Sequence, residues 1–417
     1  MSSIGNSNAS HAVFSTGALI ATGQDSVTDL CVEAVRRHLV TQAIIVTDTG
    51  VSTLASVSAS IAMVGREIEV VRTIILPETT RATLSWAREI RDALRTVNGS
   101  ICVAIGGGAV LDAAKTAVAA LDQPWLLDNA VWRSSSGLLP TVRNRERGIG
   151  SPMLLAVSTR PGTAAQLAPR ITLAISAGES QHMATGEGLI PDYVAVNSEL
   201  WAGIGIRAVL EALCEILFRA LGPYLVTQRC SEDQRVLLTS LIDDIVLAGW
   251  STIQSRGNLT PADRFRIDEL SMASLDPRRT SGWTPSTHPW WCIQNSLASS
   301  LSLPKRTLTL GGFRAVLAIR TRTVDPLRSR FRSALVHPLK PDVDVEEVAL
   351  DFLNATYAEI GFAQQSLSSD TIDKVIDETF RMWGPVMVAG GWGDTSAVKK
   401  FLEEDLCRIL PQPGRLA

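Results

Sequence analysis

The sequence predicts an α/β N-terminal domain with a parallel sheet, followed by an all-α C-terminal domain. Up to residue 197, short apolar segments alternate with amphipathic ones, which is typical of parallel strands connected by helices. From residue 198 onward, apolar residues recur at i, i+3 and i+4, the spacing of helices with one buried face. We therefore predict two domains, 1–197 and 198–417.

Strands in the N-terminal half are predicted from apolar runs that are too short for helices. AIIVTD (43–48) ends at Asp48, and ICVAI (101–105) runs into three glycines. Because both runs are apolar throughout, they are expected to be buried on both faces of the sheet. Further strands are predicted at 70–76, 153–159, 170–175 and within 189–200. Helices are predicted at 27–40, from Thr80 onward and at 111–121, and the irregular span 122–150 is predicted to be a loop or flap.

Composition and charge exclude several classes of protein. Hydrophobic residues make up 46% of the 417 residues and charged residues 19%, which indicates a globular chain. The net charge of −3 argues against a broad nucleic-acid surface. No secretory signal is predicted, and no apolar run approaches the ~20 residues of a membrane span. The six cysteines are scattered without a Cys-x-x-Cys pair, which excludes the usual thiolate zinc spacings and fits a reducing cytoplasm.

The sharpest local signal is ICVAIGGGAVLDAAK (101–115), in which a buried strand runs into Gly106, Gly107 and Gly108 and then into a helix. Glycines let the backbone turn tightly and approach a ligand without a Cβ atom. The following helix has unpaired N–H groups and the positive end of its dipole, so the turn can bind a phosphate or pyrophosphate. A plain strand-to-helix turn would have the same glycines, and the residues alone leave both interpretations open.

Two further segments place polar side chains at strand ends. Asp48 can accept hydrogen bonds from a ribose diol and repel a 2′-phosphate, or it can cap the turn that follows. Ser158, Thr159 and Thr163, in AVSTRPGTAAQ (156–166), have hydroxyls that can bind a nucleotide. Hydroxyls in such loops also stabilise turns when no ligand is present.

These motifs, in this order, resemble the iron-containing alcohol dehydrogenase family, which has the dehydroquinate synthase-like fold. The family pattern is a strand ending in Thr-Asp, then GGGS-x-x-D-x-AK, a PTT-x-GT loop, and PD-x-x-x-x-D-P-E-L at the exit from the domain. This sequence has VTD (46–48), GGGAVLDAAK (106–115), STRPGT (158–163) and PDYVAVNSEL (191–200). The resemblance is specific in the N-terminal half and weak after residue 230.

The resemblance implies an NAD(P) site. The implied cofactor-binding residues are Asp48, Gly107, Gly108, Asp112, Ser158, Thr159 and Thr163. Asp48 in that place implies a preference for NAD over NADP. Two positions depart from the family pattern, because Ala109 replaces the usual Ser and Gln166 replaces an acidic residue. We expect these losses to weaken dinucleotide affinity without abolishing it.

The family's metal ligands are an Asp and a His four residues apart on one helix and two later histidines. The resemblance places Glu211 and Glu215 at the first two positions and Trp291 and Lys305 at the last two, within WWCIQNSLASSLSLPK (290–305). Tryptophan and protonated lysine cannot ligate a divalent ion, so no bound Fe²⁺ or Zn²⁺ is expected. His288 would need a register slip of one turn to reach this site, and weak metal binding at the two glutamates stays open.

Two interpretations of this charged cluster remain. In the first, the Lys305 ammonium stands where the cation was, beside Glu211 and Glu215, and polarises an oxygen of the substrate while a glutamate accepts a proton. In the second, the charges form a salt-bridge cluster with Arg207 and Arg219 on the same helix. The neighbouring tryptophans, Trp290 and Trp291, can form a wall of a substrate pocket or can pack in the core. The candidate lining of a substrate pocket is Trp291, Asn295 and His288.

The resemblance implies an NAD-dependent oxidoreductase without a bound metal that acts on a hydroxyl group, with hydride transfer in the cleft between the domains. Similarity to divergent members in natural-product pathways, including daptide-type peptide tailoring, implies a narrower activity: oxidation of a peptide C-terminal threonine with loss of CO₂. The alternative is a non-catalytic subunit or scaffold of a biosynthetic complex that keeps the fold. We expect a small-molecule or peptide substrate, an oligomer and, for a peptide substrate, dependence on a partner protein.

Overall fold

The computed structural model describes residues 11–13, 17–78, 81–145, 150–226, 231–280, 289–301, 303–322, 345–361, 367–389 and 392–406. These residues belong to two compact units, Met1–Gly203 and Ile204–Ala417. The first unit therefore ends at Gly203, whereas the sequence placed the domain boundary at residue 197.

A seven-stranded sheet forms the centre of the first unit. Its strands, numbered in chain order through the whole unit, are β1 (His11–Val13), β2 (Leu19–Thr22), β3 (Gln42–Asp48), β4 (Glu69–Leu76), β6 (Ser100–Gly106), β7 (Met153–Ser158) and β10 (Tyr193–Val196). The strand order is β1-β2-β10-β7-β6-β3-β4, and every pairing is parallel except that of β1 with β2. A second sheet contains β5 (Ala82–Thr83), β8 (Arg170–Ala174) and β9 (Gln181–Thr185). The parallel sheet that the sequence predicts is confirmed.

Alternate side chains of the central strands belong to two separate cores. Ile44 and Val46 of β3 pack in one core, and Ile45 of the same strand packs in the other. This alternation explains why the runs are apolar throughout, since both faces of the sheet are covered. The helices of this unit are α1 (Ser26–His38), α2 (Ala55–Glu67), α3 (Leu84–Leu94), α4 (Gly108–Asp122) and α5 (Asn129–Ser134). Helices α1 and α2 cover one face, and α3 and α4 cover the other.

Two sequence-based expectations for this unit are wrong. The helix expected from Thr80 begins at Leu84, because Ala82 and Thr83 pair with β8 as a short strand. The span expected to be a loop or flap contains α5, which packs in the core. Trp132 on α5 is fully buried, and its indole N–H donates to the backbone oxygen of Leu126 over 2.9 Å. A tertiary contact of this kind leaves no periodic signal in so short a helix.

The second unit is helical throughout the residues that the structure describes, as the sequence predicts. Its helices are α6 (Ile206–Val226), α7 (Glu232–Gln254), α8 (Pro261–Ala273), α9 (Pro277–Thr280), α10 (Pro289–Leu301), α11 (Lys305–Arg322), α12 (Val345–Ile360), α13 (Ser369–Ala389) and α14 (Thr395–Lys400). Helices α10 and α11 approach closely at Gly312, where an added Cβ would lie 1.7 Å from Cζ2 of Trp290. Trp290 is buried, so core packing is its role here.

One described helix, α7, is long and apolar enough to cross a membrane. The apolar runs of the sequence did not predict it, because charged and polar residues interrupt them. Half of its most apolar window is buried inside the protein. The central helix of a helical bundle has the same length and composition, and α7 packs against α6, α8 and α12. The described cysteines Cys31, Cys102, Cys214 and Cys292 are all buried and free.

Candidate functional site

The glycine turn joins the central strand β6 to the buried helix α4. Strand β6 ends at Gly106 and α4 begins at Gly108, so Gly107 is the residue that precedes the helix. No side chain caps the N-terminus of α4. The first N–H groups of a helix have no partner within the helix, and here they are left for a ligand or for solvent.

Hypothetical Cβ atoms show that the three glycines serve different purposes. A Cβ at Gly106 would lie 2.6 Å from Cγ2 of Val110, so that glycine is required by packing. A Cβ at Gly107 would lie 3.5 Å from Cδ and Nε of Arg160, and one at Gly108 would lie 3.9 Å from Cγ2 of Thr163. These last two distances are ordinary contacts. The packing of the protein therefore does not require glycine at positions 107 and 108. The absence of a Cβ atom at each of them leaves a space beside the turn.

The loop after β7 brings its hydroxyls to this turn. The backbone N–H of Thr159 donates to the oxygen of Gly106 over 3.1 Å. The Thr159 hydroxyl is buried and has no hydrogen-bond partner among the described residues. The Ser158 hydroxyl donates to the oxygen of Arg160 and accepts from its N–H, so it stabilises the loop. Ser158 thus has the turn-forming role, whereas the hydroxyl of Thr159 remains for a ligand.

Asp48 ends β3 and closes the turn that follows it. Its Oδ1 atom accepts hydrogen bonds from the N–H groups of Gly50, at 2.8 Å, and Val51, at 3.2 Å. Burial raises the pKa of Asp48, while these hydrogen bonds and the positive charge of Arg160 act in the opposite direction. The turn-capping role is therefore present. The ribose contact implied by the family resemblance stays a prediction.

Asp112 and Lys115 connect α4 to the loop that carries Thr159 and Thr163. Oδ2 of Asp112 accepts from both the N–H and the hydroxyl of Thr172 on β8. The fully buried Lys115 amine donates to the backbone oxygens of Ala165, Ala168 and Arg170. Burial lowers the pKa of Lys115 to about 8, although the nearby carboxylate of Asp112 opposes that shift. These contacts give Asp112 a structural role, and its predicted contact with the cofactor stays a prediction.

Glu211 is the centre of a charged cluster in the second unit. Its Oε1 accepts from the Nε of Arg207 at 3.2 Å and from the hydroxyl of Thr307 at 2.9 Å. Its Oε2 accepts from the Nε of Arg306 at 2.9 Å. The Glu211 side chain is 3% exposed, whereas the two arginine side chains are each about a third exposed. A buried carboxylate is thus held between two guanidinium groups.

Glu215, one turn later on α6, belongs to a chain of hydrogen bonds through α11 and α10. It accepts from the hydroxyl of Thr309, which in turn accepts from the amide of Gln294. The same amide of Gln294 donates to the backbone oxygen of Lys305 over 2.7 Å. Glu215 is less buried than Glu211, so it is the more accessible of the two carboxylates.

The side chain of Lys305 lies over an aromatic ring. Its Nζ is 4.4 Å from the centroid of Trp291, a cation–π contact. The Trp291 ring packs edge to face with Trp383, and the Asn295 amide donates to the backbone oxygen of Trp291. Trp291 and Asn295 are both buried, and His288 lies outside the described residues. Trp291 therefore contacts both Asn295 and Lys305, while the substrate pocket expected at these residues stays a prediction.

One of the two cations that contact Glu211, Arg306, was not identified from the sequence. The first interpretation gave this role to Lys305, but Arg306, the next residue, makes the hydrogen bond. Arg207 pairs with Glu211 as the salt-bridge interpretation expects, and Arg219 donates to Ser271 and Ser274. Arg306 is the second residue of α11, which begins at Lys305 directly after Pro304, and a helix that begins at that point was the signal available in the sequence.

A divalent cation does not fit the described side chains around Glu211. Two guanidinium groups already balance its charge, and a metal ion would have to displace them. Trp291 and the Lys305 ammonium offer no ligand atom. In the part of the chain that the structure describes, no three His, Cys, Asp or Glu side chains come together as a metal site.

Comparison with known proteins identifies relatives of both the sequence and the fold. Residues 18–198 match the family described as iron-containing alcohol dehydrogenase. Phosphonoacetaldehyde reductase of Streptomyces viridochromogenes is 33% identical over 144 residues, which cover 33% of this chain and 34% of that protein. The match to this curated relative thus spans about a third of the relative's length.

Solved structures match over almost the whole chain. NADH-dependent butanol dehydrogenase A of Thermotoga maritima has a TM-score of 0.72 at 15% identity, covering 94% of this chain and 97% of that chain. Sulfoacetaldehyde reductase from Bifidobacterium kashiwanohense in complex with NAD⁺ has a TM-score of 0.69 at 12% identity, covering 93% and 97%. At these identities the comparison shows the fold, which is the dehydroquinate synthase-like fold that the sequence predicts.

Proposed function

Because residues 18–198 match the iron-containing alcohol dehydrogenase family, we propose that this chain is an NAD-dependent oxidoreductase that interconverts a hydroxyl and a carbonyl group. The observation that carries the proposal is the space at Gly107 and Gly108, together with the unpartnered hydroxyl of Thr159, whose backbone N–H donates to Gly106 of the same turn. Buried polar atoms are almost always hydrogen-bonded, so an unpartnered hydroxyl beside an open helix N-terminus favours a bound anion.

The residues at this turn fit a dinucleotide. The N–H groups of Gly107 and Gly108 and the hydroxyls of Thr159 and Thr163 would hold the diphosphate. Asp48 would accept from the adenosine ribose through the carboxylate oxygen that does not cap the turn. When NAD is bound, its nicotinamide supplies the acceptor or donor of the hydride.

The finer proposal is that the reaction proceeds without a metal. The cations of the Glu211 cluster would take the place of the metal by polarising the substrate oxygen, and Lys305 is the candidate for that contact. Glu215, the more accessible carboxylate, would accept the proton of the hydroxyl, with Glu211 holding Arg207 and Arg306 in position.

The charge of the cluster favours a substrate with an anionic group. Arg207, Lys305 and Arg306 together carry one positive charge more than Glu211 and Glu215 balance, and the arginines are the more exposed partners. Relatives of the chain are named for aldehydes with a phosphonate or a sulfonate. The shared chemistry is an oxyanion, which guanidinium groups bind in forked geometry.

A peptide that ends in threonine provides the same chemistry through its C-terminal carboxylate. Oxidation would move a hydride from the threonine Cβ to NAD⁺ and the hydroxyl proton to a base. The resulting β-keto acid then loses CO₂ as the bond between Cα and the carboxylate carbon breaks. In this narrower activity the anionic group of the substrate is a carboxylate and not a phosphonate or sulfonate. The experiment below distinguishes the two classes of substrate.

The test measures NADH oxidation with phosphonoacetaldehyde and with propanal, and NAD⁺ reduction with a threonine-terminated peptide, at 340 nm. We expect either phosphonoacetaldehyde or the threonine-terminated peptide to have a lower KM than propanal. In Arg306→Gln, which leaves Arg207 and Thr307 on Glu211, that KM should rise about tenfold while the KM for propanal stays unchanged. Arg381→Gln, at an exposed arginine on α13, is the matched control.

Each other outcome removes a different part of the proposal. Equal KM values for anionic and neutral aldehydes would remove the anionic substrate but keep the oxidoreductase. Turnover of the peptide alone would identify the carboxylate as the anion. Binding of NADH without turnover of any of the three would favour the non-catalytic subunit.

A further inference from the structure

Arg160 is the residue at the glycine turn that neither the motifs nor the family resemblance assigns. It lies in STRPGT (158–163), where the family's PTT-x-GT pattern has its second threonine. A long cationic side chain replaces a short hydroxyl at this position. The substitution adds a positive charge to a loop whose other side chains are neutral.

The side chain of Arg160 lies directly against the turn. Its Cδ and Nε atoms would be 3.5 Å from a Cβ at Gly107, the residue that precedes α4. The loop that carries Arg160 is held there by the hydrogen bond from Thr159 to Gly106 and by the contacts of the Ser158 hydroxyl with Arg160. Hydrogen bonds of the loop backbone, including those of Arg160 itself, therefore fix this residue beside the turn.

Three features at this point favour an anion. The N-terminus of α4 presents N–H groups and the positive end of a 15-residue helix dipole. The Thr159 hydroxyl is buried and has no partner among the described residues. The Arg160 guanidinium adds a full charge and forked donors, which suit phosphate oxygens.

We infer that Arg160, with Thr159 and the N–H groups of Gly107 and Gly108, forms the binding site for the cofactor's diphosphate. The inference rests on the proposed function, because it assumes a dinucleotide at this turn. It adds a charge-assisted contact that compensates for the serine missing at Ala109. The expected loss of dinucleotide affinity from that departure is thereby offset.

The experiment compares wild type with Arg160→Thr, which restores the hydroxyl of the family pattern, and with Arg160→Lys, which keeps the charge. Calorimetry measures the Kd of NADH, NADPH, ADP-ribose and adenosine. Arg160→Thr should weaken ADP-ribose and NADH about tenfold or more and leave adenosine unchanged. Arg160→Lys should retain part of the affinity. Arg133→Thr, at an exposed arginine of the same unit, is the control for general charge effects.

Further results would overturn the inference in distinguishable ways. If wild type binds NADH and Arg160→Thr binds it equally, with unchanged thermal unfolding, Arg160 does not contact the diphosphate. If adenosine weakens as much as ADP-ribose, the variant has disturbed the whole site and the diphosphate contact is contradicted. If wild type binds neither NADH nor NADPH, the proposed function fails together with this inference.

Discussion

Arg306 donates a hydrogen bond from its Nε to Oε2 of Glu211 over 2.9 Å, while Arg207 holds the other oxygen of the same buried carboxylate. The family resemblance assigns this carboxylate to the position of the first metal ligand, and that assignment stays a prediction. A buried charge needs a partner, and here the partners are guanidinium groups of the protein itself.

The first prediction concerns the stability of this cluster. Replacing Glu211 by Ala should lower the free energy of unfolding by about 3–5 kcal/mol, because two arginines lose a buried partner. Urea unfolding followed by tryptophan fluorescence measures the change. Glu269→Ala, which removes a partner of Arg266 from an exposed pair, should cost less than about 1 kcal/mol. Similar losses in both variants would mean that Glu211 is not held in a buried ion pair.

The second prediction separates packing from ligand binding at the glycine turn. Gly107→Ala should leave thermal unfolding nearly unchanged, since its Cβ would make only ordinary contacts, but should weaken NADH binding about tenfold or more. Gly106→Ala should instead destabilise the protein by about 1–3 kcal/mol, because its Cβ would lie 2.6 Å from Val110. Calorimetry and thermal melts on both variants test the pair. Unchanged NADH affinity in Gly107→Ala would count against a diphosphate at this turn.

The strands and the glycine turn were predictable from sequence because their causes are local. Apolar residues throughout β3 and β6 require burial on both faces, and three glycines after a strand indicate a tight turn. The roles of Arg160 and Arg306 were not predictable in this way. Their partners, Gly107 and Glu211, are distant in sequence, and only the tertiary structure brings each arginine to its partner. The core position of Trp132 was missed because α5, with six residues, is too short to show a helical periodicity.

The third prediction concerns Lys115, which connects α4 to the loop bearing Arg160. Lys115→Met should lower the free energy of unfolding by at least about 2 kcal/mol, because three buried backbone oxygens lose their donor. The loosened loop should also raise the Kd of NADH. Urea unfolding and NADH titration check the two effects. Lys374→Met, at an exposed lysine of α13, is the control, and an equal effect there would contradict the assigned role.

The fourth prediction is a pH dependence of NAD⁺ binding caused by Asp48. If Asp48 accepts from the ribose as proposed, the ionised carboxylate supplies affinity above its pKa, and that affinity is lost as pH falls through the pKa. Because burial raises that pKa, the loss should begin at a higher pH than for an ordinary aspartate. Calorimetric titrations across the acidic range, with circular dichroism to verify folding, measure the profile. Asp48→Asn should bind more weakly and without this acidic decline, and an identical decline in that variant would exclude Asp48 as its source.

The central claim is that this chain transfers hydride between NAD and its substrate without a metal. Its most direct test is NADH oxidation with phosphonoacetaldehyde, and NAD⁺ reduction with the threonine peptide, by chelator-treated protein whose metal content has been measured. We predict turnover in the metal-free protein that added Fe²⁺, Zn²⁺ or Mg²⁺ does not increase. Turnover that is absent without metal and restored by one of these ions would contradict the claim and would show that residues beyond those described around Glu211 complete a metal site.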